Sequence, residues 1–185
     1  MLVACVWAIY AWSFVHRAIR FQRIVDVQLF GFFTLVAVLT LLRRPARTVG
    51  PAWDGLLGFA GTVMPVLMLR PGGSGWTIPS EVLQGLGVVL MVAAAVSLGR
   101  SFGVTPADRG LRTTGLYGVV RHPLYAAELL FFVGYLLGHP SWRNAVGLGL
   151  VVAVQVARIF REERILAGYA SYAALVRWRL IPHVW

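Results

Sequence analysis

The sequence predicts an all-α fold: a polytopic transmembrane helix bundle with five or six membrane segments. Three observations carry that prediction. Of 185 residues, 58% are hydrophobic and only 13% charged, against about 45–50% and about 25% in soluble domains. The mean hydropathy is +0.74. Six apolar runs alternate with breaks rich in Arg, Gly and Pro. A soluble chain of this size would have to bury more apolar surface than one core holds. Composition therefore excludes a soluble enzyme, a disordered tail and a disulfide-stapled secreted module, and favours one membrane domain over residues 1–185.

The runs are Leu2–Ile19, Ile24–Leu42, Ala52–Leu69, Val82–Leu98, Leu124–Gly138 and Asn144–Phe160. A spanning helix takes about 20 apolar residues, with a range of about 17–25. The first four runs qualify, so residues 1–98 are expected to form four transmembrane helices. The fifth is short and the sixth marginal; joined by His139-Pro140-Ser141-Trp142-Arg143, they are expected to form a helical hairpin. Gly55, Gly58 and Gly61, and the pair Gly134 and Gly138, offer small-residue faces for close helix packing. Trp7, Trp53, Trp76, Trp142 and Trp178 fall near segment ends, as interfacial anchors do. The first run has no basic residue before it and arginines after it, the reverse of a signal peptide.

Seventeen basic residues against seven acidic ones give a net charge of +10, and all seventeen are arginine. They lie singly or in threes between apolar runs. That pattern fits topology determinants and contacts to anionic membrane lipids, and no nucleic-acid partner is expected. With the N-terminus in the cytoplasm, the even-numbered loops and the C-terminus collect 12 of the 17. Arg17, Arg20, Arg23, Arg70 and Arg143 fall on the other side, the first three against the rule. Cys5 is the only cysteine, which excludes internal disulfides and cysteine metal sites. His16, His139 and His183 are too dispersed to form a metal site.

Polar residues concentrate after Leu98. Residues 99–121 hold Arg100, Asp108, Arg109, Arg112, Thr113, Thr114, Tyr117 and Arg121, a connection long enough to be functional. Leu111, Leu116, Tyr117, Val119 and Val120 give it apolar surface to bury, so it is expected to be ordered. It ends in Arg121-His122-Pro123-Leu124-Tyr125, where proline suits the first turn of the next helix and holds His122 beside its unpaired N–H groups. Alone, a histidine before a proline is more often structural. The second cluster is Arg158-Ile159-Phe160-Arg161-Glu162-Glu163-Arg164, in which Arg158 and Glu162 share a helix face. Its plainer reading is a helix end whose carboxylates pair with neighbouring arginines. Tyr169, Tyr172, Trp178 and Arg179 follow, an aromatic and basic tail suited to folding back over a cleft. Glu128, one turn past Tyr125, is a membrane-embedded carboxylate of the kind often functional, although an interfacial pairing with an arginine explains it equally simply. Asp26, Asp54 and Glu81, near segment ends, read as interface or packing residues.

Together, Gly115-Leu116-Tyr117, Arg121-His122-Pro123-x-Tyr125, Arg158-x-x-x-Glu162-Glu163-x-x-Leu166, Tyr169, Tyr172 and Leu180-x-Pro182 resemble the isoprenylcysteine carboxyl methyltransferase family, which includes phospholipid N-methyltransferases and bacterial integral membrane members. The resemblance covers roughly the last 80 residues of the chain. It implies S-adenosylmethionine as donor and S-adenosylhomocysteine as product, in a cytoplasmic-side pocket formed by the long loop and the C-terminal tail. By position it puts the cofactor-contacting loop on Arg109, Gly110, Leu111 and Arg112, with Tyr117, His122, Pro123, Leu124 and Tyr125 lining the pocket. It makes Glu162 the acidic cofactor ligand and Arg158 the residue facing the substrate, with Glu163 beside them in the catalytic group. The implied reaction is methyl transfer to a lipophilic small molecule or lipidated acceptor, a carboxylate of an isoprenoid-like substrate first, a phenol or amine otherwise. A carboxylate needs no base; for a hydroxyl, Glu163, His122 or a tyrosine are candidates. An intramembrane NADPH-dependent reductase of the sterol-reductase type is the enzymatic alternative, and a small membrane transporter or scaffold the non-enzymatic one.

Overall fold

Long apolar runs with no water to satisfy their backbone close their hydrogen bonds internally as helices. The computed structural model describes residues 2–21, 24–72 and 74–185. Arg23, counted above in the charge bias, lies outside the described residues. Seven α-helices are described: α1 (Leu2–Phe21), α2 (Ile24–Leu42), α3 (Ala52–Met68), α4 (Thr77–Leu98), α5 (Pro123–Gly138), α6 (Trp142–Ile165) and α7 (Tyr169–Leu175). Local chemistry sets several boundaries. Gly99, at φ 50°, ends α4, a backbone conformation that favours glycine. Pro123 occupies the first turn of α5, and the Ser141 hydroxyl caps α6 by accepting from Asn144 N.

Three described helices are long and apolar enough to cross a membrane: α2, α4 with its continuation to Ser101, and α6. This shifts the expected balance. The sixth run extends to a 24-residue helix, whereas α3 and α5 have 17 and 16 residues. The length of α1 suffices, but it carries His16, Arg17 and Arg20 in its last turns. Large apolar side chains such as Ile19, Leu41, Leu56, Ile78 and Val96 stay exposed on the outside, as they do in a helix bundle surrounded by lipid.

The expected α5–α6 hairpin forms, but it is not the main packing of either helix. α5 packs chiefly along α4, and α6 chiefly along α3. Gly134 explains the first preference: a Cβ there would fall 2.9 Å from Gln84 N, so only glycine allows the two backbones to approach this closely. Gly55, by contrast, faces open space. α1 packs on α2, and Trp7 stacks on Phe33 with ring centroids 5.7 Å apart. Trp7 is thus a buried core residue rather than an interfacial anchor, while Trp76 and Trp142 are exposed at helix starts.

The segment after α4 is ordered. Arg44 N donates to Arg100 O at 2.8 Å, and β1 (Thr48–Val49) pairs antiparallel with β2 (Ala107–Asp108). The C-terminal tail joins the same end of the bundle: Arg121 N donates to Trp178 O and His122 N to Arg179 O, both at 2.8 Å. The two clusters separated in sequence therefore meet beside the start of α5 and the end of α6.

Candidate functional site

A cavity of about 510 Å³ runs along the bundle, from Ser101 and Tyr169 at the tail end to Arg17, Asp26 and His139 at the other. Its middle wall is apolar, supplied by Trp7, Phe14, Phe33 and Phe131 among others. At the tail end its lining includes Arg109, Gly110, Leu111, Arg112, Tyr117, His122, Leu124, Tyr125, Arg158 and Glu162. Of the expected site residues, only Pro123 and Glu163 do not line it.

Each side chain there has an identifiable support. The Tyr125 hydroxyl donates to a Glu162 carboxylate oxygen. His122 Nδ1 lies 3.9 Å from Glu162 and its Nε2 3.4 Å from Glu163, so the buried ring bridges the two carboxylates. Arg158 lies over the Tyr125 ring, 4.9 Å from its centroid, and donates to Val104 O at 3.0 Å. Its Nε is buried without an acceptor. A Cβ at Gly61 would fall 2.7 Å from the Arg158 guanidinium, so that glycine makes room for it. Arg109 also has a buried, unpartnered Nε. Burial first, and then neighbouring Arg43, draw its pKa down. Arg121 lines the cavity with a buried, unpartnered Nε as well, so three guanidiniums with spare donors share a partly apolar cavity with the Glu162 carboxylate.

Glu163 faces away from that space. It accepts two hydrogen bonds from Arg179, at 2.8 and 3.1 Å, and one from Tyr169 at 2.5 Å, with Arg121 3.7 Å away. Its charge is absorbed in holding the tail, unlike that of Glu162. Burial pushes Tyr172 up to about 12, and its hydroxyl donates to Tyr117 O at 2.6 Å, joining α7 to the loop. Arg161 is committed too: it forms a bidentate pair with buried Asp54, at 2.8 and 3.1 Å. The helix-end carboxylates are therefore not paired with the neighbouring α6 arginines, as the plainer sequence reading had it.

A family model described as phospholipid methyltransferase matches residues 79–171, half of the chain. The chain belongs to the phospholipid methyltransferase family. It is accordingly a methyltransferase built on a helical membrane fold. No curated protein matches it. The family match runs from α4 into α7 and so contains both clusters, while the α1–α3 residues of the cavity wall, Gly61 among them, lie outside it.

Sequence reasoning passed over Gln155. It is buried on α6 and its Nε2 donates to Glu128 at 2.7 Å. The signal was present: a polar residue three before Arg158, on the same face of an otherwise apolar helix. Glu128 itself lines the cavity, and among the described residues no arginine lies within ion-pair distance of it, unlike the interfacial pair that its simplest reading implied.

Proposed function

We propose that the chain is an S-adenosylmethionine-dependent methyltransferase that acts on a lipophilic acceptor within the membrane. The observation that carries this is the shared cavity wall: the His122–Tyr125 turn, Arg158 and Glu162 from α6, and the Arg109–Arg112 loop. Residues 99–185 supply this chemistry, and the helices of residues 1–98 supply the membrane bundle. The arginine bias favours a cytoplasmic location for the tail end, so donor arrives from water and acceptor from lipid.

The residues present fit such a donor. The unpartnered Arg109 Nε suits its carboxylate, and Glu162, accessible beside the cavity, suits its ammonium or ribose hydroxyls. When bound, the donor supplies an electrophilic methyl on cationic sulfur, with a neutral thioether as leaving group. The protein's own tasks are to align the partners and exclude water. The Tyr125 hydroxyl holds the Glu162 carboxylate in place, with the His122 ring beside it. Arg158 presents its free Nε toward the acceptor, and the apolar middle of the cavity accommodates the acceptor's tail. Glu163, although expected in the catalytic group, acts here as a strut that keeps Tyr169 and Arg179 over the site.

Calorimetric titration with S-adenosylhomocysteine, on the full chain in nanodiscs, tests the proposal. Saturable binding is expected, and its absence in folded protein overturns the assignment.

A further inference from the structure

We propose that Glu128 is the base that takes the acceptor's proton, and that the nucleophile it serves is a hydroxyl, phenolic or enolic, on an apolar carrier. The inference rests on the methyl-transfer function proposed above. Glu128 lies on α5 one turn past Tyr125, about 5 Å along the axis, and lines the cavity. Gln155 Nε2 donates to one of its carboxylate oxygens at 2.7 Å. Among the described residues no donor reaches the other oxygen. The Gln155 amide oxygen is itself buried and unpartnered, so the pair is not a closed structural network. Incomplete satisfaction of buried polar groups points to a ligand or a catalytic role.

Gln155, Arg158 and Glu162 recur along one face of α6, and with Tyr125 and Glu128 they form a polar ladder. Glu162 and Tyr125 stand at the tail end, Arg158 in the middle, Glu128 and Gln155 deepest in the bundle. Three acceptor classes meet this ladder differently. An amine arrives as an ammonium, and even after it gives its proton to Glu128 its nitrogen develops positive charge in the transfer, which Arg158 disfavours. A carboxylate has no proton to give and meets Glu128 as a like charge. A hydroxyl arrives neutral, gives its proton to Glu128, and develops its negative charge beside Arg158. In the transfer, an oxygen lone pair forms the O–C bond to the methyl while the C–S bond breaks. The electron pair of that bond stays on sulfur, giving a neutral thioether, and the proton passes from oxygen to the Glu128 carboxylate. Sulfonium and carboxylate charges are both neutralised, and the product is a methyl ether.

The test uses three probes with the same alkyl tail: para-dodecylphenol, dodecanoate and dodecylamine. Each is presented in nanodiscs to the full chain, with methyl-labelled S-adenosylmethionine. The phenol is expected to be methylated in preference to the other two. Glu128→Gln lowers kcat on the phenol about 100-fold or more and leaves S-adenosylhomocysteine affinity unchanged. It also strengthens dodecanoate binding, measured without turnover, about tenfold or more as a like charge is removed. Preferential methylation of dodecanoate or dodecylamine by the unaltered chain overturns the inference. So does a Glu128→Gln protein that binds S-adenosylhomocysteine and methylates the phenol at the original rate. If Glu128→Gln does not fold, the probe preference of the unaltered chain decides alone. Failure of the unaltered chain to bind S-adenosylhomocysteine overturns the methyl-donor assignment, and this inference with it.

Discussion

Two pairs of residues in the last turns of α6 carry the same charges and use them in opposite ways. In one pair, Arg161 is locked bidentately to buried Asp54 and packs over Trp53, 4.2 Å from its ring. Glu163 is likewise locked to Arg179 and Tyr169. In the other pair, Arg158 makes one hydrogen bond to a carbonyl and keeps an unpartnered Nε. Glu162 is held by Tyr125, with His122 3.9 Å away, and among the described residues no guanidinium lies within ion-pair distance of it. Residues one position apart on a helix point about 100° away from each other, so adjacency in sequence does not imply a shared task. Charges that find full partners fasten α3 and the tail to α6. Those left incomplete face the cavity and remain available to a ligand.

If that division holds, breaking a locked pair costs stability and breaking an incomplete one costs binding. The largest effect is expected at Asp54, fully buried with Arg161 as its partner. Removing one member of such a pair strands the other charge and costs about 3–5 kcal/mol. Thermal unfolding of Asp54→Ala in detergent reads this directly, and a melting temperature equal to that of the unaltered chain would break the comparison. Next comes Glu162→Gln, expected to weaken S-adenosylhomocysteine binding about 10–150-fold, the equivalent of a charged hydrogen bond worth about 1.5–3 kcal/mol. Its melting temperature should move far less than that of Asp54→Ala. Arg158→Ala sharpens the division within the cavity side. Acceptor kcat/KM should fall about tenfold, equivalent to about 1.4 kcal/mol, with cofactor affinity unchanged; a parallel loss of both would remove the separate acceptor role.

Much of this arrangement was legible in the sequence, and what was not has a physical reason. Apolar runs, Pro123 and the i, i+4 spacing of Arg158 and Glu162 marked the helices, the start of α5 and the shared face, because each depends on local geometry. Partner choice between helices was not legible. In a bundle whose outside is as apolar as its inside, hydrophobicity does not contrast one face with another. Hence α5 lies mainly along α4, with a smaller contact to α6, and Trp7 sits in the core. Gly134 and Gly138 marked a close-packing face but not which helix it meets. Asp54 and Arg161 are 107 positions apart, and no local pattern announces a pair formed at that distance. Glu128 was conspicuous as a charge in an apolar run, whereas its contact with Gln155 emerged only when α5 and α6 were brought together.

The smallest expected effect lies where loop and tail join, on the locked side of the comparison. The Tyr172 hydroxyl donates to Tyr117 O, and Tyr172→Phe deletes that neutral hydrogen bond at a cost of about 1 kcal/mol. The same variant has a pH signature. Burial raises the phenol from its ordinary value of 10.0 to about 12, Arg121 offsetting part of the rise. The folded state therefore holds the proton more tightly than the unfolded one. That contribution to stability is fully present below pH 10 and is lost as pH rises toward about 12. Thermal unfolding of the unaltered chain should decline across this window, and Tyr172→Phe should decline less steeply, the two curves converging at its alkaline end. Curves that stay parallel would mean that the Tyr172 hydroxyl does not titrate with folding, and that the tail is held by Glu163 and Arg179 without it.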